Sequence, residues 1–140
     1  MANLETFESL AAAARASFPN EFCRIVGMRE QGTFGYVLFD TGPEGRPYLY
    51  GVNYERVDGR WMEGSSSNGD GWSHMGPDPS LGTLTLWDTA PAGADRVRVE
   101  LGGQLREEPV ENGVYLVAWW GVPISLDLWR TTFRINGRWT

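Results

Sequence analysis

The feature that most constrains the fold is the regular alternation of short β-forming segments with tight turns. Asp58-Gly59, Asn112-Gly113 and Asn136-Gly137 each lie between such segments. These pairs favour two-residue hairpin turns, because both turn positions require positive φ angles. The segment Arg96–Leu101 alternates charged and apolar residues, as a half-buried strand does. The spacing therefore predicts about nine short antiparallel strands across residues 22–140.

A helical periodicity precedes the strands. Apolar residues recur every three or four positions between Leu4 and Phe18, and Asn3 belongs to the residue types that cap helices. Pro19 cannot continue a helix. The pattern predicts one amphipathic helix over about residues 4–17. Its polar face is not basic, so we expect it to pack on the protein's own sheet and not on a membrane.

These patterns together predict a mainly β (α+β) fold. A chain of 140 residues has the usual size of one domain, and residues 1–140 are expected to form a single domain. Turn signals at regular spacing favour an antiparallel β-sandwich, with the N-terminal helix against one sheet or closing one end. A strongly curved sheet wrapped around the helix is the alternative. A long polar loop over residues 64–82 is easier to place at the edge of a sandwich.

That predicted loop, Gly64–Gly82, is the richest source of candidate site residues. Loops longer than about 12–15 residues in a compact domain tend to be functional or disordered. Aromatic, imidazole and polar side chains in or just before the loop form the candidate ligand- or partner-binding set: Trp61, Asn68, Asp70, Trp72 and His74. Trp72 either stacks on a ligand or pins the loop to the body of the protein.

No motif specifies a reaction or a cofactor. A calcium loop starting at Ser66 would need a glutamate at its twelfth position, where Pro77 stands. His74 is the only histidine and Cys23 the only cysteine, so neither an intrachain disulfide nor a zinc cluster of thiolates can form. The sequence has no nucleophile elbow, phosphate-binding loop or dinucleotide fingerprint. We expect no catalytic residue, no metal and no cofactor.

Charge and hydropathy limit the classes of partner that this protein is expected to bind. The net charge is −6, from 18 acidic and 12 basic residues, and all basic residues are arginine. An acidic balance disfavours binding to nucleic acid and suits a basic protein partner. The sequence shows neither a signal peptide nor an apolar stretch of membrane-spanning length. The expected location is the cytoplasm.

One short internal similarity stands out. Arg56-Val57-Asp58-Gly59-Arg60-Trp61 resembles Arg134-Ile135-Asn136-Gly137-Arg138-Trp139. It reflects either duplication of a half-domain or convergence of two hairpins, since turns reuse the same few residue types.

Two stretches resemble small uncharacterised proteins of high-GC bacteria. The first is Asp58-Gly59-Arg60-Trp61 with the polar run to Gly69 and Gly71-Trp72, and the second is Asn112–Tyr115 with Trp119-Trp120. The resemblance implies a bacterial protein and no known activity.

The leading functional hypothesis is a non-catalytic binding module that engages another protein through an acidic, Trp-bearing surface. A toxin-neutralising immunity protein would fit the size, the acidity and the missing motifs. The alternative is a small enzyme or ligand binder that uses residues 64–82, with Trp72 and His74 at its site.

Overall fold

The computed structural model describes residues 6–17, 23–67, 71–74, 78–126 and 128–140. The chain forms two compact units, Met1–Gly69 and Asp70–Thr140. The described residues contain one helix and otherwise antiparallel strands, which confirms the predicted mainly β class. No helix among them is long and apolar enough to cross a membrane. The elements are α1 (Leu10–Ser17), β1 (Arg24–Gln31), β2 (Phe34–Asp40), β3 (Leu49–Val57), β4 (Arg60–Ser67), β5 (Gly71–His74), β6 (Leu81–Thr89), β7 (Ala94–Leu101), β8 (Gln104–Pro109), β9 (Val114–Pro123), β10 (Trp129–Ile135) and β11 (Arg138–Trp139).

The first unit contains a four-stranded antiparallel sheet in the order β1-β2-β3-β4. Each strand pairs with the next one along the chain, because short turns join β1 to β2 and β3 to β4. Asp58 and Gly59 form the second of these turns with φ angles of 52° and 77°. This is the left-handed geometry that the Asp-Gly pair predicts.

Helix α1 begins later than the sequence predicts. Phe7 and Trp61 exchange two backbone hydrogen bonds, at 2.8 and 2.7 Å, so the segment before the helix extends the edge of β4. Ser9 then caps the helix, because its Oγ accepts a hydrogen bond from the Ala12 N–H at 3.1 Å. The expected start near residue 4 is therefore wrong, and the expected cap, Asn3, lies outside the described residues.

Helix α1 packs on one face of this sheet, as expected. Gly35 of β2 lies directly beneath the helix, where an added Cβ would approach Leu10 Cδ2 to 2.8 Å. The shared core consists of buried residues from the helix and from β2, β3 and β4: Leu10, Ala13, Ala14, Val37, Phe39, Val52, Tyr54 and Trp61. Burial of this apolar stripe, more than intrinsic propensity, stabilises an eight-residue helix.

A hydrogen bond ties the end of α1 to β3. Ser17 Oγ and Tyr54 Oη lie 2.7 Å apart, and Ser17 Oγ also donates to the Ala13 carbonyl at 3.1 Å. The Ser17 hydroxyl proton is thus committed, so the Tyr54 hydroxyl donates to Ser17. Burial raises the pKa of Tyr54 to about 12, and the phenol stays neutral.

Asp40 fixes the connection between β2 and β3. Its Oδ1 accepts hydrogen bonds from the N–H groups of Gly42 and Tyr48 at 2.9 and 3.0 Å. Its Oδ2 accepts one from Arg24 Nη2 at 2.6 Å. Burial alone would raise the pKa of this carboxyl, but these three donors outweigh it and hold the pKa below its ordinary value of 3.8.

Asp40→Asn is expected to cost about 1.5–3 kcal/mol of unfolding free energy at pH 7, because hydrogen bonds to a charged group are lost or weakened. The folded pKa is depressed, so the contribution of the carboxylate is complete above the ordinary value of 3.8 and is lost as pH falls through the folded pKa. Urea unfolding at pH 7 and at pH 3 measures the loss of unfolding free energy and its dependence on pH. The difference between wild type and variant should shrink at the lower pH.

Asp58→Asn is the matched control. It makes the same charge change at an exposed turn, where asparagine also tolerates a φ of 52°. Its effect should stay within about 0.5 kcal/mol. An Asp40→Asn difference that is independent of pH would contradict the ionic role of Asp40.

The second unit contains two antiparallel sheets, ordered β5-β6-β9 and β11-β10-β7-β8. Buried side chains from both sheets share one core: Leu84, Leu86, Val97, Val99, Leu101, Val117, Trp119 and Val122. This unit is therefore a small two-layer sandwich, the architecture favoured by the sequence. The alternation predicted for β7 is confirmed, since Val97, Val99 and Leu101 are buried at 0% exposure.

The central strand of the three-stranded sheet is β6, and β9 is an outer strand. The sequence of β9, apolar on both faces, would favour a central position. Residues on both faces are indeed buried, including Val117, Trp119 and Trp120. Arg106 of β8 donates a hydrogen bond to the Ala118 carbonyl. A side chain thus satisfies one backbone acceptor of β9.

The segment over residues 64–82, predicted as one long loop, contains the end of one strand and the whole of another. Strand β4 extends to Ser67, and β5 pairs with β6 in a second sheet, with Trp72 opposite Leu84. Serine hydroxyls of β4 make cross-strand bonds, among them Tyr50 Oη to Ser66 Oγ at 2.6 Å. These bonds to β3 are non-local, so the Ser-rich sequence of β4 carries no local signal that predicts a strand. Residues 68–70 and 75–77 lie outside the described part.

Candidate functional site

The five candidate residues from the sequence fall in different places. Trp61 belongs to the core of the first unit and is 2% exposed, which leaves almost none of its surface for a ligand. Trp72 and His74 lie on β5, and the structure describes their backbone but not their side chains. Asn68 and Asp70 lie outside the described residues. For the last four, a binding role stays a prediction.

The tryptophans divide into buried and surface groups. Trp61, Trp87, Trp119 and Trp120 are between 1% and 6% exposed, so most of the large Trp content serves the cores. Trp129 is 39% exposed, and Trp139 is partly exposed on the last strand. Among the tryptophans with described side chains, only these two present surface to a partner. Both belong to the sheet β11-β10-β7-β8.

The polar face of that sheet, opposite Val97, Val99 and Leu101, is called the Trp139 face. The strand register places its side chains in rows, with Leu105 beside Glu100 and Arg130, and with Glu107 beside Arg98 and Thr132. Trp139 is opposite Arg134 on the last hairpin. Regular alternation along β7, β8 and β10 therefore collects charged, hydroxyl and aromatic groups on one surface.

Arg98 is held in place from two sides. Its Nε and Nη2 donate to Glu107 Oε1 at 2.8 and 2.6 Å. Its guanidinium carbon lies 3.8 Å from the centre of the Trp139 ring, within the range of a cation–π contact. The Arg98 hydrogen bonds lower the pKa of Glu107, so its carboxylate stays ionised at neutral pH. Trp139 is thus seated on a charged group that is itself fixed by an ion pair.

The other arginines of this face differ in whether they have partners. Arg134 forms a two-pronged ion pair with Asp95, at 2.9 and 2.6 Å, and this bond lowers the pKa of Asp95. Arg96 lies 3.6 Å from Glu107. Arg130 is exposed and makes no ion pair or side-chain hydrogen bond with the residues that the structure describes. It is the guanidinium best placed to receive an external anion.

An open pocket of about 290 Å³ occupies the centre of the Trp139 face. It is lined by Arg98, Glu100, Leu105, Arg130, Thr132, Trp139 and Thr140. Leu105, which is 55% exposed, and the Trp139 ring supply apolar surface, while Arg130 and Thr132 supply hydrogen-bond donors. This volume is at the small end of ligand-sized sites and suits one or two side chains of a partner.

The lining combines guanidinium, hydroxyl, aliphatic and aromatic groups. It contains no histidine or cysteine, and Glu100 is its single carboxylate. Within the described part of the chain, no group of three His, Cys, Asp or Glu residues is placed to hold a metal ion. A guanidinium beside an indole matches the composition of protein-interaction hot spots, which are rich in Trp, Tyr and Arg.

Sequence reasoning missed Arg130, Thr132 and Trp139 as site residues. The signal was present, because Arg130, Thr132 and Arg134 alternate with Trp129, Thr131 and Phe133 as a strand with one polar face requires. The pairing of β10 with β7, which joins this polar face to Arg98 and Glu100, is not visible in the sequence.

Comparisons with protein-family models, with curated proteins and with solved structures found no match to this chain. The residues of the Trp139 face are therefore the basis for inferring a function.

Proposed function

We propose that this protein is a non-catalytic binding module that engages another protein through the Trp139 face. The observation that carries the proposal is the pocket between Trp139 and Arg130. It joins an aromatic ring on a fixed support to an exposed guanidinium that has no partner among the described residues.

An exposed apolar side chain in the pocket lining supports the same surface. Leu105 is 55% exposed and lines the pocket beside Trp139. Exposed apolar groups beside polar ones are typical of a partner-binding surface. Burial of one large apolar side chain contributes about 1.5–3 kcal/mol, which counts toward the free energy lost when two molecules associate.

Charge acts at two ranges in this proposal. The net charge of −6 governs long-range encounter, and the expectation of a basic partner stands there as a prediction. Contact at the Trp139 face is local. Two charged groups of the pocket lining, the Arg130 guanidinium and the Glu100 carboxylate opposite it in the ladder, have no ion-pair partner among the described residues. The proposed contact surface is therefore the arginine- and Trp-bearing face, in place of the acidic surface expected from composition.

The test is capture of partners by the immobilised protein from extracts of the cells that produce it. The wild type should retain one protein in stoichiometric amount. The double variant Arg130→Glu/Trp139→Ala should retain at least about tenfold less, because it loses an aromatic anchor and reverses a contact charge.

The matched control is Arg46→Glu/Tyr48→Ala, which reverses one arginine charge and truncates one aromatic side chain at exposed residues of the first unit; Tyr48 is 57% exposed. It should retain the partner in full, and circular dichroism should show that both double variants are folded. Equal capture by both variants, or no stoichiometric partner with the wild type, would overturn the proposal.

A further inference from the structure

Two exposed turns of the second unit contain the same pair of residues, asparagine followed by glycine. Asn112-Gly113 precedes β9, and Asn136-Gly137 joins β10 to β11. Both asparagines have positive φ angles, 55° and 52°. An asparagine before glycine is prone to lose its side-chain amide, because glycine has no Cβ to hinder attack by its backbone nitrogen. The local sequence gives both pairs this reactivity.

The first of these turns is held by backbone hydrogen bonds, one of which comes from outside the turn. The Ala90 N–H donates to the Gly113 carbonyl at 2.9 Å. Glu111 and Val114 close the turn with two further bonds, at 3.1 and 3.0 Å. Local opening of this turn therefore requires the loss of a bond to another part of the unit.

The second turn has no such outside bond. Its flanking residues, Ile135 and Arg138, pair with each other in the ladder of β10 and β11. Asn136 and Gly137 themselves make no hydrogen bond or ion pair with the residues that the structure describes. The peptide group between them is exposed and is held only through its neighbours. It is therefore freer to rotate than the peptide group of the first turn.

Loss of the amide proceeds through a five-membered ring. The Gly137 backbone nitrogen attacks Asn136 Cγ, the Cγ–Nδ2 bond breaks, and the nitrogen's proton leaves with the amide as ammonia. Water then opens the succinimide ring at either carbonyl, which gives aspartate or isoaspartate. Ring closure needs the peptide group to rotate out of the left-handed turn. The rate therefore depends on how firmly that peptide group is held.

We propose that Asn136 is a site of spontaneous deamidation in the folded protein, faster than Asn112, and that its isoaspartate product displaces Trp139 from Arg98. The expected ratio of the two rates is about fivefold, the factor that one protein hydrogen bond contributes to a local opening equilibrium. The Gly113 carbonyl has such a bond, to Ala90. Deamidation is a property of this chain alone, and only its effect on partner capture rests on the proposed function.

The two products differ in their effect on the hairpin. Asp58 occupies the similar turn of the first unit at a φ of 52°, so an aspartate at position 136 keeps the turn. Isoaspartate adds one carbon atom to the main chain of a two-residue turn. The longer turn cannot keep the register that places Trp139 opposite Arg134. The indole then loses its position over Arg98, where the guanidinium carbon lies 3.8 Å from the ring centre.

The first test is incubation of the pure protein at mildly alkaline pH, which favours loss of the Gly137 amide proton. Digestion and mass spectrometry follow each Asn-Gly pair in one sample, including Asn68-Gly69, which lies outside the described residues. In the native protein Asn136 should convert about fivefold faster than Asn112. In concentrated urea the two rates should become similar, because neither turn is then held.

Three results would overturn this assignment. Equal native rates at Asn136 and Asn112 would show that the bond from Ala90 has no effect. A native Asn136 that stays intact while the same residue converts in urea would show that its turn is firmly held. A ratio of rates that is the same in urea and in the native protein would assign the difference to local sequence.

The second test follows Trp139 after the modification. In a protein with Asn68→Asp and Asn112→Asp, Asn136 is in the remaining Asn-Gly pair, and its isoaspartate form can be separated by ion-exchange chromatography. The reporter is the Arg98 Nε–H resonance, which the indole ring shifts upfield.

The isoaspartate form should lose this upfield shift, as Trp139→Ala does. The variant Asn136→Asp is the matched control, because it carries the same added charge with a normal main chain, and it should keep the shift. A shift retained in the isoaspartate form would overturn the displacement of Trp139. Neither test uses a partner, so their failure would leave the proposed function to be decided by partner capture.

Discussion

Trp61→Ala is expected to remove about 3–5 kcal/mol from the free energy of unfolding, the usual cost of deleting a fully buried aromatic side chain. Trp61 is 2% exposed and belongs to the core that joins α1 to the first sheet. Its ring lies beneath the helix, where an added Cβ on Gly35 would come within 3.1 Å of Trp61 Cζ3. Removal of the ring leaves a cavity against Leu10, and the helix loses much of the surface on which it packs.

Urea unfolding followed by far-ultraviolet circular dichroism measures the loss. Trp139→Ala is the matched control, because it deletes the same side chain from a partly exposed position at the end of the second unit. The control should lose less than half as much stability and should instead affect partner capture. A Trp61→Ala protein with the stability of wild type would contradict the placement of Trp61 in the core.

Gly51→Ala is expected to cost about 3 kcal/mol, although it adds only one methyl group. The added Cβ would lie 1.7 Å from Tyr36 Oη and 2.4 Å from Tyr36 Cζ. Tyr36 is 1% exposed, so its ring has no free space to move into. The ring lies across the glycine of the neighbouring strand, an arrangement in which an aromatic side chain covers a position without a side chain of its own.

Thermal and urea unfolding of a double-mutant cycle isolate this clash. In a Tyr36→Val background the same Gly51→Ala change should cost less than about 1 kcal/mol, because the atoms in the way are gone. Gly64→Ala on β4 is a further control, because it adds the same methyl group without so close an approach. The nearest atom to the added Cβ would be the Asn53 carbonyl oxygen at 3.2 Å. Equal losses from Gly51→Ala in both backgrounds would show that the cost arises from the backbone and not from Tyr36.

The local sequence predicts a structural element correctly where the residues that determine the element are neighbours along the chain. The Asp58-Gly59 turn and the alternation of Arg96–Leu101 were placed within a few residues of the observed hairpin and strand. Both depend on dihedral angles and side-chain direction, which a few neighbouring residues decide. The start of α1 was misplaced because Phe7 pairs with Trp61, more than 50 positions away along the chain.

The candidate site also could not be predicted from the local sequence, because its residues are distant from one another along the chain. Arg98, Arg130 and Trp139 come from three strands, and the register of β10 with β7 and β11 brings them to one face. The amino-acid composition predicts an acidic, Trp-bearing binding surface. The described structure buries four of the seven tryptophans and leaves a basic group, Arg130, at the pocket.

The two similar hairpins separate what the sequence determines from what tertiary structure decides. Arg56–Trp61 and Arg134–Trp139 form the same turn, with Asp58 and Asn136 both at φ 52°, and the same register places Arg opposite Trp in each. The hairpin geometry is thus local. Trp61 is buried because α1 packs over its face of the sheet, and Trp139 stays partly exposed because it lies on the polar face of its sheet, over Arg98. Similar hairpin sequences give a core residue in one unit and a candidate binding residue in the other, since burial depends on which elements pack against each face.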